Sequence, residues 1–261
     1  MSELSNVVNL KKYSLDDLNS KASRELISSC HSQLDSDGLC LLPNFVTAAF
    51  IDEIISEVKE QEMKLFYTEH WRTPFGTGSI KGKKNVVQTR ASMRSFGYDL
   101  LKPDSKLRLL YESDIFLAFL RKILKNDKLF KCIDPMISCL ITICREGDEL
   151  GWHYDPNDGV VTLLLQKSTN GGEFEFVPDV ASPGIEPTKK ELSILDNQDE
   201  DIISISQNPG TLSLFNGSNS LHRVAPVDKN SERIMAVLSY SNEPDYMFSS
   251  SIRNRFLGRS S

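Results

Sequence analysis

The stretch GWHYDPNDG, residues 151–159, sets His153 and Asp155 two residues apart, where an apolar run breaks into a turn of Pro, Asn, Asp and Gly. Residues at i and i+2 of an extended segment point to the same side of a sheet, so these two side chains are placed to bind one ion together. Alone, His-x-Asp is a short and weak pattern. It needs a third ligand on a neighbouring strand, and a fold that delivers it.

Around the motif the texture is β. From Pro135 onward, MISCLITICREGDELGWHYD, GVVTLLLQ, GGEFEFVPD, DIISISQNPGTLSLFNG, HRVAPV and ERIMAVLSYS form short β-branched runs between turn signals. This predicts an antiparallel sandwich or barrel rather than alternating βαβ units. The tract 181–201, ASPGIEPTKKELSILDNQDED, reads as a polar loop inserted at one rim. NGS at 216–218 matches a glycosylation acceptor, a match without meaning unless the chain is secreted.

The first third reads as helical. Ser14 precedes a run with Leu15, Leu18, Ala22, Leu26, Cys30 and Leu34 at helical spacing, and Gly38 stops it. LCLLPNF (39–45) reads as a strand, Thr47 caps a second amphipathic helix, and Ser113 caps another over 113–125. Residues 69–112, including the basic run KGKK (81–84), read as irregular, the kind of long connection that is functional or mobile. The whole chain is expected to be one domain over 1–261. A helical buttress of about 1–130 would support a β-core of about 131–245, with a C-terminal segment over 246–261.

Composition narrows the function. With 39% hydrophobic and 25% charged residues the chain is globular, and a net charge of −6 offers no basic footprint for nucleic acid. The N-terminus lacks a signal-peptide core and no apolar run approaches a membrane span, so a cytoplasmic protein without a membrane partner is expected. Five cysteines at irregular spacings, with no C-x-x-C, support neither a disulfide framework nor a structural zinc site, and are expected to be reduced and mostly buried. The oligomeric state is not legible.

Of the four histidines, His31 lies in a helical run and His70 in TEHWRT, whereas His222 opens the β-run HRVAPV. His222 therefore completes the set. Two His and one carboxylate leave three coordination positions open, the arrangement of non-haem Fe(II) oxygenases, in which a 2-oxo acid chelates through two and O₂ takes the third. A chelating co-substrate with a remote carboxylate needs a buried cation, and Arg233 in the apolar run ERIMAVLSYS is that cation.

This set, over roughly residues 135–241, resembles the Fe(II)/2-oxoglutarate-dependent dioxygenases. The resemblance implies a double-stranded β-helix core, of jelly-roll or cupin-like form, in a mainly β protein with flanking α-helices. It implies Fe(II), 2-oxoglutarate and O₂ as cofactors and co-substrates, with His153, Asp155 and His222 on the iron and Arg233 on the remote carboxylate. Prolyl-hydroxylase-like members add a Tyr contact to that carboxylate, and Cys144 stands in its place here, with Thr142 on the same face. More narrowly, REGDELGWHYD, HRVAPV and RNRFLGR are similar to the bacterial group that hydroxylates or chlorinates free amino acids such as lysine. Halogenating members carry Gly in place of the metal carboxylate, so Asp155 implies oxygen transfer. Lysine-acting members carry an acid where this chain has Met136, with Asp134 nearby.

The expected reaction is hydroxylation of an unactivated C–H bond of a small molecule, a free amino acid or a derivative, with release of succinate and CO₂. Arg90 and Arg94 are candidates for the substrate carboxylate, or ordinary surface arginines; Tyr154 either lines the pocket or packs as a strand aromatic. For a small substrate, residues 69–95 are expected to fold over the iron mouth as a lid. A peptidyl hydroxylase of prolyl type with the same iron site would want an open groove instead. A non-enzymatic cupin-like barrel would have no use for Arg233.

Overall fold

The computed structural model describes residues 4–74, 87–155, 160–180 and 187–261. The lid tip and KGKK run, the end of the GWHYDPNDG turn and the start of the polar tract therefore lie outside the described residues.

The N-terminal part comprises α1 (Lys21–Asp37), β1 (Leu39–Leu42), α2 (Ala48–Glu60), β2 (Phe66–Arg72), β3 (Thr89–Phe96), α3 (Lys106–Glu112), α4 (Asp114–Ile123) and β4 (Phe130–Lys131). Helix α1 begins later than its apolar spacing predicts. Asp17 accepts the Asn19 N–H, and Ser23 Oγ donates to the Ser14 and Asp17 carbonyls, so local side-chain bonds hold residues 14–19 in a turn. Ser20 is the cap, and Gly38 ends the helix at φ 68° with its N–H on Leu34 O. Thr47 and Ser113 cap α2 and α4 as their positions predict.

The described part of residues 69–112 is not irregular. β2 and β3 pair antiparallel from Phe66↔Ser95 to Arg72↔Thr89, and α3 follows. Mixed polar composition hides the alternation that a strand with two differently used faces requires.

The C-terminal part comprises β5 (Cys139–Cys144), β6 (Leu150–His153), β7 (Val160–Gln166), β8 (Phe174–Val177), α5 (Lys189–Leu195), β9 (Ile203–Ile205), β10 (Leu212–Phe215), β11 (Leu221–Val224), β12 (Arg233–Leu238), β13 (Tyr240–Ser241) and α6 (Ser250–Leu257). Helix α5 sits inside the tract read as a loop. Thr188 and Glu191 form a reciprocal capping box, and Ile194 is fully buried, so a short helix is stable there.

From β5 to β12 the strands alternate between two antiparallel sheets, except that β8 and β9 are neighbours in one of them. One runs β10–β7–β12–β5 and the other β6–β11–β8–β9, and β3 joins them by pairing with both β5 and β6. The result is a curled double-stranded β-helix with helices against one face. Ile141, Ile143, Leu163, Leu214, Ile234 and Ala236 turn outward and pack with Phe50, Phe116, Phe119 and Leu120 of α2 and α4. Burying a side chain of this size contributes ~1.5–3 kcal/mol, so this layer carries much of the fold's stability. Alternation then sends the neighbouring residues of the same strands into the barrel.

All five cysteines are buried and unpaired, as their spacing predicts. Among the described residues no helix is long and apolar enough to cross a membrane.

Candidate metal centre

Strand pairing builds the site. His222 of β11 lies directly across from His153 of β6, with ring centroids 4.0 Å apart. Asp155 follows β6 by two residues and donates its backbone N–H to the Gly217 carbonyl at 3.0 Å. Its Oδ1 lies 3.5 Å from His153 Nε2 and its Oδ2 3.2 Å from His222 Nε2. The three ligand atoms fall within 4.8 Å of one another, with both histidines buried.

The tautomers follow from the backbone. His153 Nδ1 faces Gly151 O and His222 Nδ1 faces Ser220 O, each at 2.9 Å. Carbonyls only accept, so each Nδ1 carries a proton, and each Nε2 is the nitrogen left facing the Asp155 carboxylate. Burial, with His222 and Arg72 close by, pushes His153 down to about 3, so it stays neutral. Burial works against the Asp155 carboxylate, but His222 and His153 outweigh it and hold its pKa well below the usual range. Two imidazole nitrogens and a carboxylate converging on one point are a donor set for a cation, of the two-His, one-carboxylate kind. The residues fit Fe(II).

Arg233 opens β12 directly across from Cys144 of β5. Its guanidinium is buried, and no carboxylate reaches it among the described residues. It lines a small cleft, partly open to solvent, with Ser168, Gly172, Phe174 and Gln207. The Phe174 ring stands 5.8 Å from that of His222, so the cleft adjoins the triad. Cys144, pushed up to about 11 by burial, keeps its thiol proton beside Arg233. Thr142 donates its hydroxyl to Met235 O at 3.3 Å.

The other named residues are placed elsewhere. Arg94 pairs across the sheet with Ile143, which faces the helices, and it bonds Asp148 at 2.9 Å. Arg90 donates to Glu69 at 2.8 Å and to Gly147 O at 2.7 Å. Both arginines thus hold partners of the chain's own. Tyr154 alternates away from the ligands, donates its hydroxyl to Glu191 of α5 at 2.8 Å, and packs beside Trp152. Asp134 is buried against Arg253 and three backbone N–H groups, a structural role.

Arg72, unnoticed in the sequence, does approach the site. It ends β2 opposite Thr89, whose hydroxyl donates to Trp152 O at 2.9 Å, and its Nη2 lies 3.5 Å from Gly151 O. Its Nε is buried without a partner among the described residues, as are His70 Nδ1, Ser95 Oγ and Ser213 Oγ. Buried polar atoms are normally satisfied, so such orphans mark where a ligand or water completes the structure. The signal for Arg72 was the alternation of His70 and Arg72 along β2, lost when that segment reads as a loop.

A model of the Halogenase D family matches residues 22–254. The chain belongs to the Halogenase D family. Its fold is shared with solved structures of low identity. An epimerase, SnoN from nogalamycin biosynthesis, solved with Fe³⁺ and α-ketoglutarate, aligns with TM-score 0.56 and 14% identity over 83% of this chain and 84% of its own. A prolyl hydroxylase from Trichoplax adhaerens aligns with TM-score 0.54 and 15% identity over 88% and 97%. A 2OG-Fe(II) oxygenase family protein from Burkholderia pseudomallei aligns with TM-score 0.52 and 17% identity over 83% and 91%. No curated protein matches in sequence. Family, fold and triad together make this Halogenase D member a 2-oxoglutarate-dependent Fe(II) oxygenase.

Proposed function

We propose that the protein hydroxylates an unactivated C–H bond of a small molecule bearing a carboxylate, an amino acid or a derivative of one. The observation that carries this reading is Asp155, which keeps a protein carboxylate facing both histidines in a family named for halogenation. An arm filled by protein leaves no place for halide beside the co-substrates, and favours oxygen transfer.

In this reading His153, Asp155 and His222 hold Fe(II), and Arg233 pairs with the remote carboxylate of 2-oxoglutarate, flanked by Cys144 and Thr142. The bound iron, with 2-oxoglutarate and O₂, supplies the oxidant that turns C–H into C–OH as succinate and CO₂ leave. The chain's own groups orient and exclude. Gly151 O and Ser220 O fix the two imidazoles, and Phe215, 4.8 Å from the His222 ring, shields them from water. Arg72, whose Nε has no partner among the described residues, receives the substrate carboxylate, a role its planar fork suits.

The test is succinate formation from 2-oxoglutarate with a panel of amino acids and derivatives, with and without chloride. Stimulation by a carboxylate-bearing small molecule and a hydroxylated product are expected. A chlorinated product, or stimulation by peptides alone, would overturn the reading. His153→Ala, Asp155→Ala and His222→Ala should each abolish turnover while leaving the fold intact.

A further inference from the structure

The turn at 216–220 presses on one metal arm. Gly217 is buried, and a Cβ built on it would stand 2.8 Å from Asp155 Cγ and 2.9 Å from Asp155 Cβ, and closer still to Oδ2. Its φ is not in the left-handed region, so the backbone itself would accept alanine; the obstacle is the Asp155 side chain. Neither partner is free to retreat. Asp155 N–H is bonded to Gly217 O at 3.0 Å, Asn216 N–H to Gly38 O at 2.9 Å, and Val180 N–H to Asn219 O at 3.1 Å. The turn is thus tied to three separate segments, and what gives way to a side chain at 217 is the rotamer of Asp155.

We propose that Gly217 is a positioning residue that permits Asp155 to serve as the third metal arm. Position 217 then acts with position 155 in deciding whether that arm is a protein carboxylate or a ligand from solution. A methyl group at 217 turns the carboxylate away from His153 and His222 and occupies the volume it vacates. This rests on the iron-site reading above and adds to it a residue that touches neither metal nor substrate.

The experiment titrates the full, metal-free chain with Co(II), reading the visible absorption of the bound ion and the melting temperature. Gly217→Ala is expected to weaken Co(II) binding roughly tenfold or more, as Asp155→Ala does. The double variant should bind no more weakly than Asp155→Ala alone, because the side chain that clashes is gone. Formate, which replaces the missing carboxylate, should restore binding to Asp155→Ala and not to the double variant, where the methyl fills the space. Wild-type affinity in Gly217→Ala, or equal formate rescue in both backgrounds, would overturn the proposal. Should Gly217→Ala fail to fold, a double variant that melts like Asp155→Ala supports the clash, and one that also fails to fold overturns it. No Co(II) binding by the wild type would sink the iron-site reading itself, and this inference with it.

Discussion

His153 and Arg72 share one acceptor, the Gly151 carbonyl oxygen, at 2.9 Å from His153 Nδ1 and 3.5 Å from Arg72 Nη2. One backbone oxygen thus links the ring that would bind iron to the guanidinium proposed to bind substrate. Gly151 is forced by the same crowding, since a Cβ there would stand 2.8 Å from Arg90 O.

Arg72→Gln is expected to raise the substrate KM about tenfold to a hundredfold, since hydrogen bonds to charged groups contribute ~1.5–3 kcal/mol. Co(II) affinity should stay within about threefold, because His153 keeps its own bond to Gly151. Steady-state kinetics beside a metal titration check this, and equal losses in both would place Arg72 in the metal scaffold instead.

Arg233→Lys should raise the 2-oxoglutarate KM by about tenfold or more while Co(II) binding persists, because an ammonium offers a point charge where a planar fork is wanted. Measured 2-oxoglutarate affinity decides it; an unchanged value would move the anchor to another residue.

Stability of the metal-free protein should fall as pH drops below the usual histidine range. His153 is held at about 3 in the folded chain by burial first, then by His222 and Arg72, while the unfolded chain titrates at its ordinary value. Between these two values the unfolded state binds the extra proton, so acid favours unfolding there. Urea midpoints at pH 7 and pH 5 should differ, and His153→Gln should flatten that slope. Asp155, depressed in the fold, adds a further loss at still lower pH.

Asp134→Asn should destabilise the chain by ~3–5 kcal/mol by leaving Arg253 without its buried partner. Because Arg253 lies in α6, which packs on Met136, Ile137 and Leu140, limited proteolysis should release the C-terminal segment first. An unchanged urea midpoint would refute the anchor role.

What the sequence determined by itself is the chemistry that repeats locally. The period-two runs after Pro135, the caps Thr47 and Ser113, and the His-x-Asp pair with a distal His and an Arg are short-range patterns. They fixed the β-core, two helices and the metal set, because each needs only its neighbours to be recognised. The capping box Thr188 to Glu191 was legible too, and was hidden only by the polar tract around it. Tertiary structure decided the rest, through the pairing of distant strands. Arg90, Arg94 and Arg72 are alike in sequence, but β2–β3 pairing turns the first two toward Glu69 and Asp148 and brings Arg72 to Gly151. Gly217 is one residue of a commonplace turn until folding lays it against Asp155. A side chain's type is local, but which face it occupies and which atom it meets depend on register, and a one-residue change in register reverses every face.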